Sequence, residues 1–252
     1  MVKTILNVLT QKNTLLHVNQ GITVAKVSDA SEGIDLVQAI LYEIVDRKTV
    51  LYLSGGSLKT LYEQLAKEGE IIPGAVGLVD ERFGPKHHPN SNEKMIQDTQ
   101  FLRYLHLRDI PFHPILQGKG REETADEYDK RIREFNNLFP KSVGLLGIGP
   151  DGHTSSIIPN RQDFHNPWFD AAYKHLLVSE FNDPKSHYKE RVGMTFLGLS
   201  MLDVLLVPVF GSAKQNTLEL MFKDGSEEKI PARFFKRPEN AKKTLMITDQ
   251  NI

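Results

Sequence analysis

The sequence predicts a single α/β domain over residues 1–252, built on a mostly parallel, twisted sheet flanked by helices. Three observations carry the prediction. Short apolar runs alternate with stretches of helical spacing along the whole chain. Four of those runs stop abruptly at glycines, hydroxyls or charges. No internal repeat, low-complexity segment or linker divides the chain, whose length suits one large domain or two small ones.

The elements follow in order. Residues 15–27 alternate around Asn19-Gln20-Gly21, as an edge hairpin or ragged strand does. Ser28-Asp29-Ala30-Ser31 starts a helix, and Ile34, Val37, Ile40, Leu41 and Ile44 give residues 34–45 one apolar face. Residues 49–53 form a strand running into Ser54-Gly55-Gly56-Ser57, with a helix over 58–67 behind it. Residues 76–79 are a short strand ending at Asp80-Glu81-Arg82. A polar loop, 83–90, leads to Ser91-Asn92, which caps a helix running through Leu105. Residues 112–116 read as a short strand, and 121–138 as a charged helix. The apolar run from Val143 ends in Gly149-Pro150-Asp151-Gly152, two turn dipeptides, and presents His153. Residues 157–173, with the only tryptophan (Trp168), are loop-rich. Residues 176–181, 191–196 and 204–210 read as strands, the last followed by Gly211-Ser212-Ala213-Lys214 and a helix to about Phe222. A loop, 231–243, and a strand, 244–248, close the chain.

Composition removes several function classes. There are no cysteines, so disulfides, thiolate catalysis and Cys-based metal sites are excluded. The net charge of −1 supplies no field for a nucleic acid, so an anion has to be held by local groups. No apolar run approaches the ~20 residues of a membrane span, and Met1-Val2-Lys3-Thr4 does not begin a signal segment. A cytoplasmic protein with no membrane partner is expected, as a monomer or a small homo-oligomer.

In a parallel sheet the four run endings lie on one edge, which is where ligands bind in such folds. Ser54-Gly55-Gly56-Ser57 joins a strand to a helix; its glycines admit close approach of N–H groups, and Ser57 can cap the helix, leaving N–H groups for a phosphate. Taken alone, the same four residues are a plain tight turn, without the lysine of a P-loop. Asp80 and Arg82, two apart, share a face while Glu81 points away. They either pair with each other, or Arg82 faces the crevice as a cation whose orientation Asp80 sets. His153 follows a glycine-rich turn, and histidine's ordinary pKa of ~6.5 suits a general base near neutrality. His87 and His88 lack such a setting, and no histidine has metal-ligand spacing, so no metal is expected. No G-x-S-x-G element marks a serine nucleophile.

Together these residues resemble the 6-phosphogluconolactonases, which share a superfamily with the glucosamine-6-phosphate deaminases. The resemblance rests on Ser54-Gly55-Gly56-Ser57 with Tyr62, on Asp80-Glu81-Arg82 with Ser91-Asn92, and on residues 147–156 around His153. Residues 191–195 and 211–214 are similar to the family's Arg/Thr strand and Gly-x-x-Lys turn. Deaminases typically carry Phe-Asn-Glu-Pro after the Gly-His element and Tyr where Arg82 stands. This chain has Thr154-Ser155-Ser156-Ile157-Ile158-Pro159 and Arg82, which resemble the lactonase side. It departs from the usual pattern at Leu58-Lys59, at 157–160 and at Gly193.

The resemblance implies a Rossmann-like sheet of the sugar-phosphate isomerase type. It also implies hydrolysis of 6-phosphoglucono-δ-lactone to 6-phosphogluconate, in the oxidative pentose phosphate pathway, without a cofactor. His153 is then the base that activates water, Arg82 or loop N–H groups hold the oxyanion, and Asp151 shapes the turn and orients His153. Ser54, Gly55, Gly56, Ser57, Asp80, Arg191 and Lys214 form the substrate and phosphate site, where Arg82 is an alternative partner of the phosphate. The rival activities are an amino-sugar phosphate deaminase/isomerase and a non-catalytic sugar-phosphate sensor.

Overall fold

A computed structural model of the chain describes residues 2–161, 176–182 and 188–252. The main sheet has seven strands. In chain order they are β1 (Leu15–Asn19), β2 (Ile22–Lys26), β3 (Thr49–Leu53), β4 (Ala75–Leu78), β6 (Lys141–Leu145), β9 (Val204–Val209) and β10 (Thr244–Thr248). Their spatial order is β1-β2-β10-β9-β6-β3-β4. Every pairing is parallel except β1 with β2, the hairpin predicted at the edge. Every residue of β3, β9 and β10 is buried, as parallel strands covered on both faces require.

The covering helices are α1 (Val2–Gln11), α2 (Ala30–Ile44), α3 (Lys59–Glu68), α6 (Arg121–Leu138), α7 (Phe196–Ser200) and α8 (Gln215–Phe222). α1 has no counterpart among the sequence-predicted elements; it buries Ile5, Val8 and Leu9 and packs on α2. α2 starts as predicted, with the Asp29 carboxylate accepting from Glu32 N at 3.0 Å.

The structure differs from the sequence reading at several points. The helix expected from Ser91 through Leu105 is two, α4 (Asn92–Asp98) and α5 (Phe101–Leu107), because Gln100 turns left-handed at φ 66°. Residues 112–116 form no strand; Phe112 makes one isolated bridge to Val76. The loop 231–243 contains a 3-10 helix, Pro231–Lys236, and α9 (Pro238–Ala241). The strands expected at 176–181 and 191–196 are β7 (Val178–Asn182) and β8 (Glu190–Met194), and Phe196 opens α7 instead. These two strands leave the main sheet and join β5 (Asp80–Arg82) in a small antiparallel sheet of order β5-β8-β7. Part of the loop expected at 157–173, Trp168 included, lies outside the described residues.

One contact explains how the crevice opens. Leu146 N donates to Leu206 O at 2.8 Å, so Leu206 faces β6. Alternate residues of a strand share an edge, so Pro208 also faces that side. β6 has already ended at Leu145, so the N–H that Pro208 lacks is not needed. A proline in a central strand is tolerated where its neighbour departs, and that departing chain becomes the His153 loop.

Candidate active site

The predicted strand endings meet around a crevice of about 260 Å³. Its walls are the turn Ser54-Gly55-Gly56-Ser57 after β3, Asp80 and Arg82 of β5, and the segment 147–150 after β6. His153, Ser155, Arg191 of β8 and Lys214 complete it. Every sequence-predicted site residue borders this space except Asp151, which stands behind His153.

The His153 loop is built by local hydrogen bonds. Gly149 N donates to His153 O at 2.8 Å and Gly152 N to Gly149 O at 3.0 Å. Gly152 sits at φ +87°, a left-handed conformation that glycine adopts without strain. A Cβ on Gly149 would lie 2.0 Å from the His153 ring, so a side chain there would displace the imidazole. Asp151 Oδ1 accepts from His153 N at 3.1 Å and sits 2.6 Å from Nδ1. Burial pushes the Asp151 carboxyl up, but its hydrogen bonds and attraction to His153 outweigh that and bring it down to about 2. At neutral pH the carboxylate is therefore ionised and can only accept, so Nδ1 is the donor to it and, in the neutral imidazole, Nε2 is the acceptor. That is the tautomer a general base needs.

The cations are held by the scaffold. Arg82 Nη1 donates to Asn90 O at 3.0 Å, and His88 Nε2 donates to Arg82 O at 2.9 Å. Among the described residues no ion pair joins Asp80 to Arg82. The expectation that Asp80 sets the orientation of Arg82 is therefore replaced: Asp80 accepts from Ser156 Oγ and Asn92 Nδ2, and Asn90 fixes the guanidinium. Glu81 does point away from the crevice, into the start of α4. There it accepts from Ser91 Oγ at 2.8 Å, Asn92 N at 2.7 Å and Glu93 N at 2.9 Å. Lys214 Nζ donates to Ile148 O at 2.7 Å, and burial lowers its pKa against the opposing pull of Asp151.

The glycine-rich turn differs in one detail. Ser57 caps nothing: neither the 3-10 turn Gly56–Leu58 nor α3 has a side-chain cap. Gly56, at φ +73°, turns the backbone instead. Ser54 Oγ donates to Leu145 O at 2.6 Å, tying the ends of β3 and β6 together. Asn92 and Ser155 border the crevice but were not among the sequence candidates. For Asn92 the usable signal was the pairing of Ser91-Asn92 with Asp80-Glu81-Arg82; for Ser155 it was its place two residues beyond His153.

Comparison with known proteins gives the chain's family. The family model for glucosamine-6-phosphate isomerases/6-phosphogluconolactonase matches residues 30–246. The chain is 30% identical over 196 residues to a 6-phosphogluconolactonase of Synechocystis sp., covering 72% of this chain and 75% of that protein. Among solved structures, a 6-phosphogluconolactonase from Plasmodium vivax superposes with a TM-score of 0.77 at 15% identity, over 99% of this chain and 96% of that one. One from Thermotoga maritima superposes with a TM-score of 0.68 at 25% identity, over 91% of this chain and 99% of that one. The family model spans most of the sequence, and the chain belongs to the glucosamine-6-phosphate isomerase/6-phosphogluconolactonase family.

Proposed function

We propose that this chain hydrolyses 6-phosphoglucono-δ-lactone to 6-phosphogluconate, with His153 as general base. One observation carries the reading: an imidazole whose Nδ1 is held by an ionised carboxylate opens on the same crevice as Arg82, Arg191 and Lys214. His153 Nε2 takes a proton from water as its oxygen attacks the lactone carbonyl. The carbonyl electrons move onto oxygen, and Arg82 or the loop N–H groups stabilise that charge. The C–O bond to the ring oxygen then breaks, the ring oxygen takes the proton from His153, and the carboxylic acid formed ionises. Asp151 holds the imidazolium in the intervening state. Ser54, Gly55, Gly56, Ser57, Arg191 and Lys214 hold the phosphate end, and Asp80 shapes the wall between. The reaction needs no cofactor or metal.

We further propose a cytoplasmic monomer or small homo-oligomer acting on a phosphosugar lactone, without nucleic-acid or membrane partners. The charge balance supports this, and no helix among the described residues is long and apolar enough to cross a membrane. The deciding experiment offers the purified protein both substrates of the superfamily. Acid release from the lactone, faster than its spontaneous opening, is expected. Ammonia release from glucosamine 6-phosphate without lactone hydrolysis would replace the proposal with the deaminase reading. Tight binding of 6-phosphogluconate with neither activity would replace it with a sensor.

A further inference from the structure

Two glycines near the crevice are explained by what lies against them. A Cβ on Gly55 would fall 1.9 Å from Asn92 Oδ1. A Cβ on Gly193 would fall 2.7 Å from Asp80 Cβ, its partner in the β5–β8 register. The space that side chains at 55 and 193 would fill is taken by one hydrogen-bonded unit. Asn92 Nδ2 donates to Asp80 O at 2.8 Å and to Asp80 Oδ1 at 3.4 Å. Ser156 Oγ donates to Asp80 Oδ2 at 2.8 Å. All three side chains are buried, yet Asp80 and Asn92 border the crevice.

The unit reaches across the site. The Asn92 side chain stands against the glycine-rich turn, and its backbone N–H donates to Glu81 Oε1 at 2.7 Å. Ser156 belongs to the His153 loop, next to Ser155, which is held left-handed at φ 52°. Asn92 Oδ1 is buried without a hydrogen-bond partner, and that cost is borne where the amide seats against Gly55. Residues kept in costly arrangements concentrate at functional sites.

We propose that Asn92 and Ser156 are positioning residues for hydrolysis: by holding the Asp80 carboxylate between them, they set the spacing between the glycine-rich turn and the His153 loop. The assignment rests on the hydrolytic reading above. Substrate held at one wall has to meet water activated at the other, and a displacement of about 1 Å can slow such a reaction by roughly two orders of magnitude.

The test is a double-mutant cycle on the full chain, with melting curves beside steady-state kinetics. Ser156→Ala and Asn92→Ala should each lower kcat about 10-fold or more while KM stays within about threefold. Because both act through Asp80, the double variant should be no slower than the slower single one. Folded variants that keep wild-type kcat, or losses that multiply, overturn the proposal; lowered melting temperature with unchanged kcat assigns the residues a structural role only. Ser156→Ala deletes one oxygen and supplies a readout independent of turnover. In 15N-resolved spectra it should shift the amides of Gly55 and Gly56 across the site, and unmoved amides overturn the proposal. A wild-type protein inactive on the lactone refutes the functional reading, while the amide shifts still report on the brace.

Discussion

His153 and Asp151 are two apart in sequence and work as one unit. His153→Ala removes the base and should lower kcat by about 10²- to 10⁴-fold, with a smaller change in KM, in a lactone-hydrolysis assay. Lys214→Ala should act on the other parameter, raising KM, because the proposed reading gives Lys214 the phosphate end. Asp151 offers a check that needs no substrate. Its folded pKa, about 2, lies below the ordinary carboxylate value of ~3.9. A depressed acid contributes stability that is fully present above the unfolded pKa and lost as pH falls through the folded one. The contribution of the His153 loop should therefore fade between about pH 4 and 2. A side-chain carboxyl 13C titration should place Asp151 near 2. In His153→Ala the hydrogen bond and charge of the imidazole are gone, only backbone donors still oppose burial, and the midpoint should rise. At this scale much was legible: His153, Arg82 and Lys214 stand out by residue type at the ends of apolar runs. The part played by Asp80 was not, because its partners Asn92 and Ser156 lie 12 and 76 residues away, beyond any local pattern.

At the scale of elements, the start of α4 shows how a buried acid fixes a helix. Glu81 accepts from Ser91 Oγ and from three backbone amides, those of Arg82, Asn92 and Glu93. Burial raises its pKa, and those donors oppose the rise. Glu81→Ala would strand these donors and should cost about 2–4 kcal/mol, read from urea unfolding; Glu81→Gln, which keeps one acceptor oxygen, should cost less. Strands and long helices were legible because burial writes itself into the pattern: 49–53, 121–138 and 244–248 match β3, α6 and β10 residue for residue. The break between α4 and α5 was hidden, since no glycine or proline stands between Asp98 and Phe101 to mark it. Pro231 and Pro238 mark a loop when read as helix breakers. Each instead stands in the first turn of a short helix, where its missing N–H costs nothing. Membership of β7 and β8 in a second sheet depends on their pairing with β5, which hydrophobic periodicity does not encode.

For the molecule as a whole, a ligand that binds only the folded state adds stability by mass action. At 100 times its Kd, 6-phosphogluconate should contribute about 2.7 kcal/mol, a rise of roughly 5–10 °C in Tm for a chain of this size. Lys214→Ala should shrink that rise at the same ligand concentration, and an undiminished rise would separate Lys214 from binding. The overall class was legible because alternating strands and helices admit few arrangements. The order of strands was not, and it has a consequence of its own. β10 lies between β2 and β9, bonded to both, although it is the last strand made. During synthesis on the ribosome, the β1–β2 hairpin has no place to dock until residues 244–248 emerge. Folding of the sheet therefore waits for nearly the whole chain, and a ribosome stalled before Thr244 should display a protease-sensitive nascent chain.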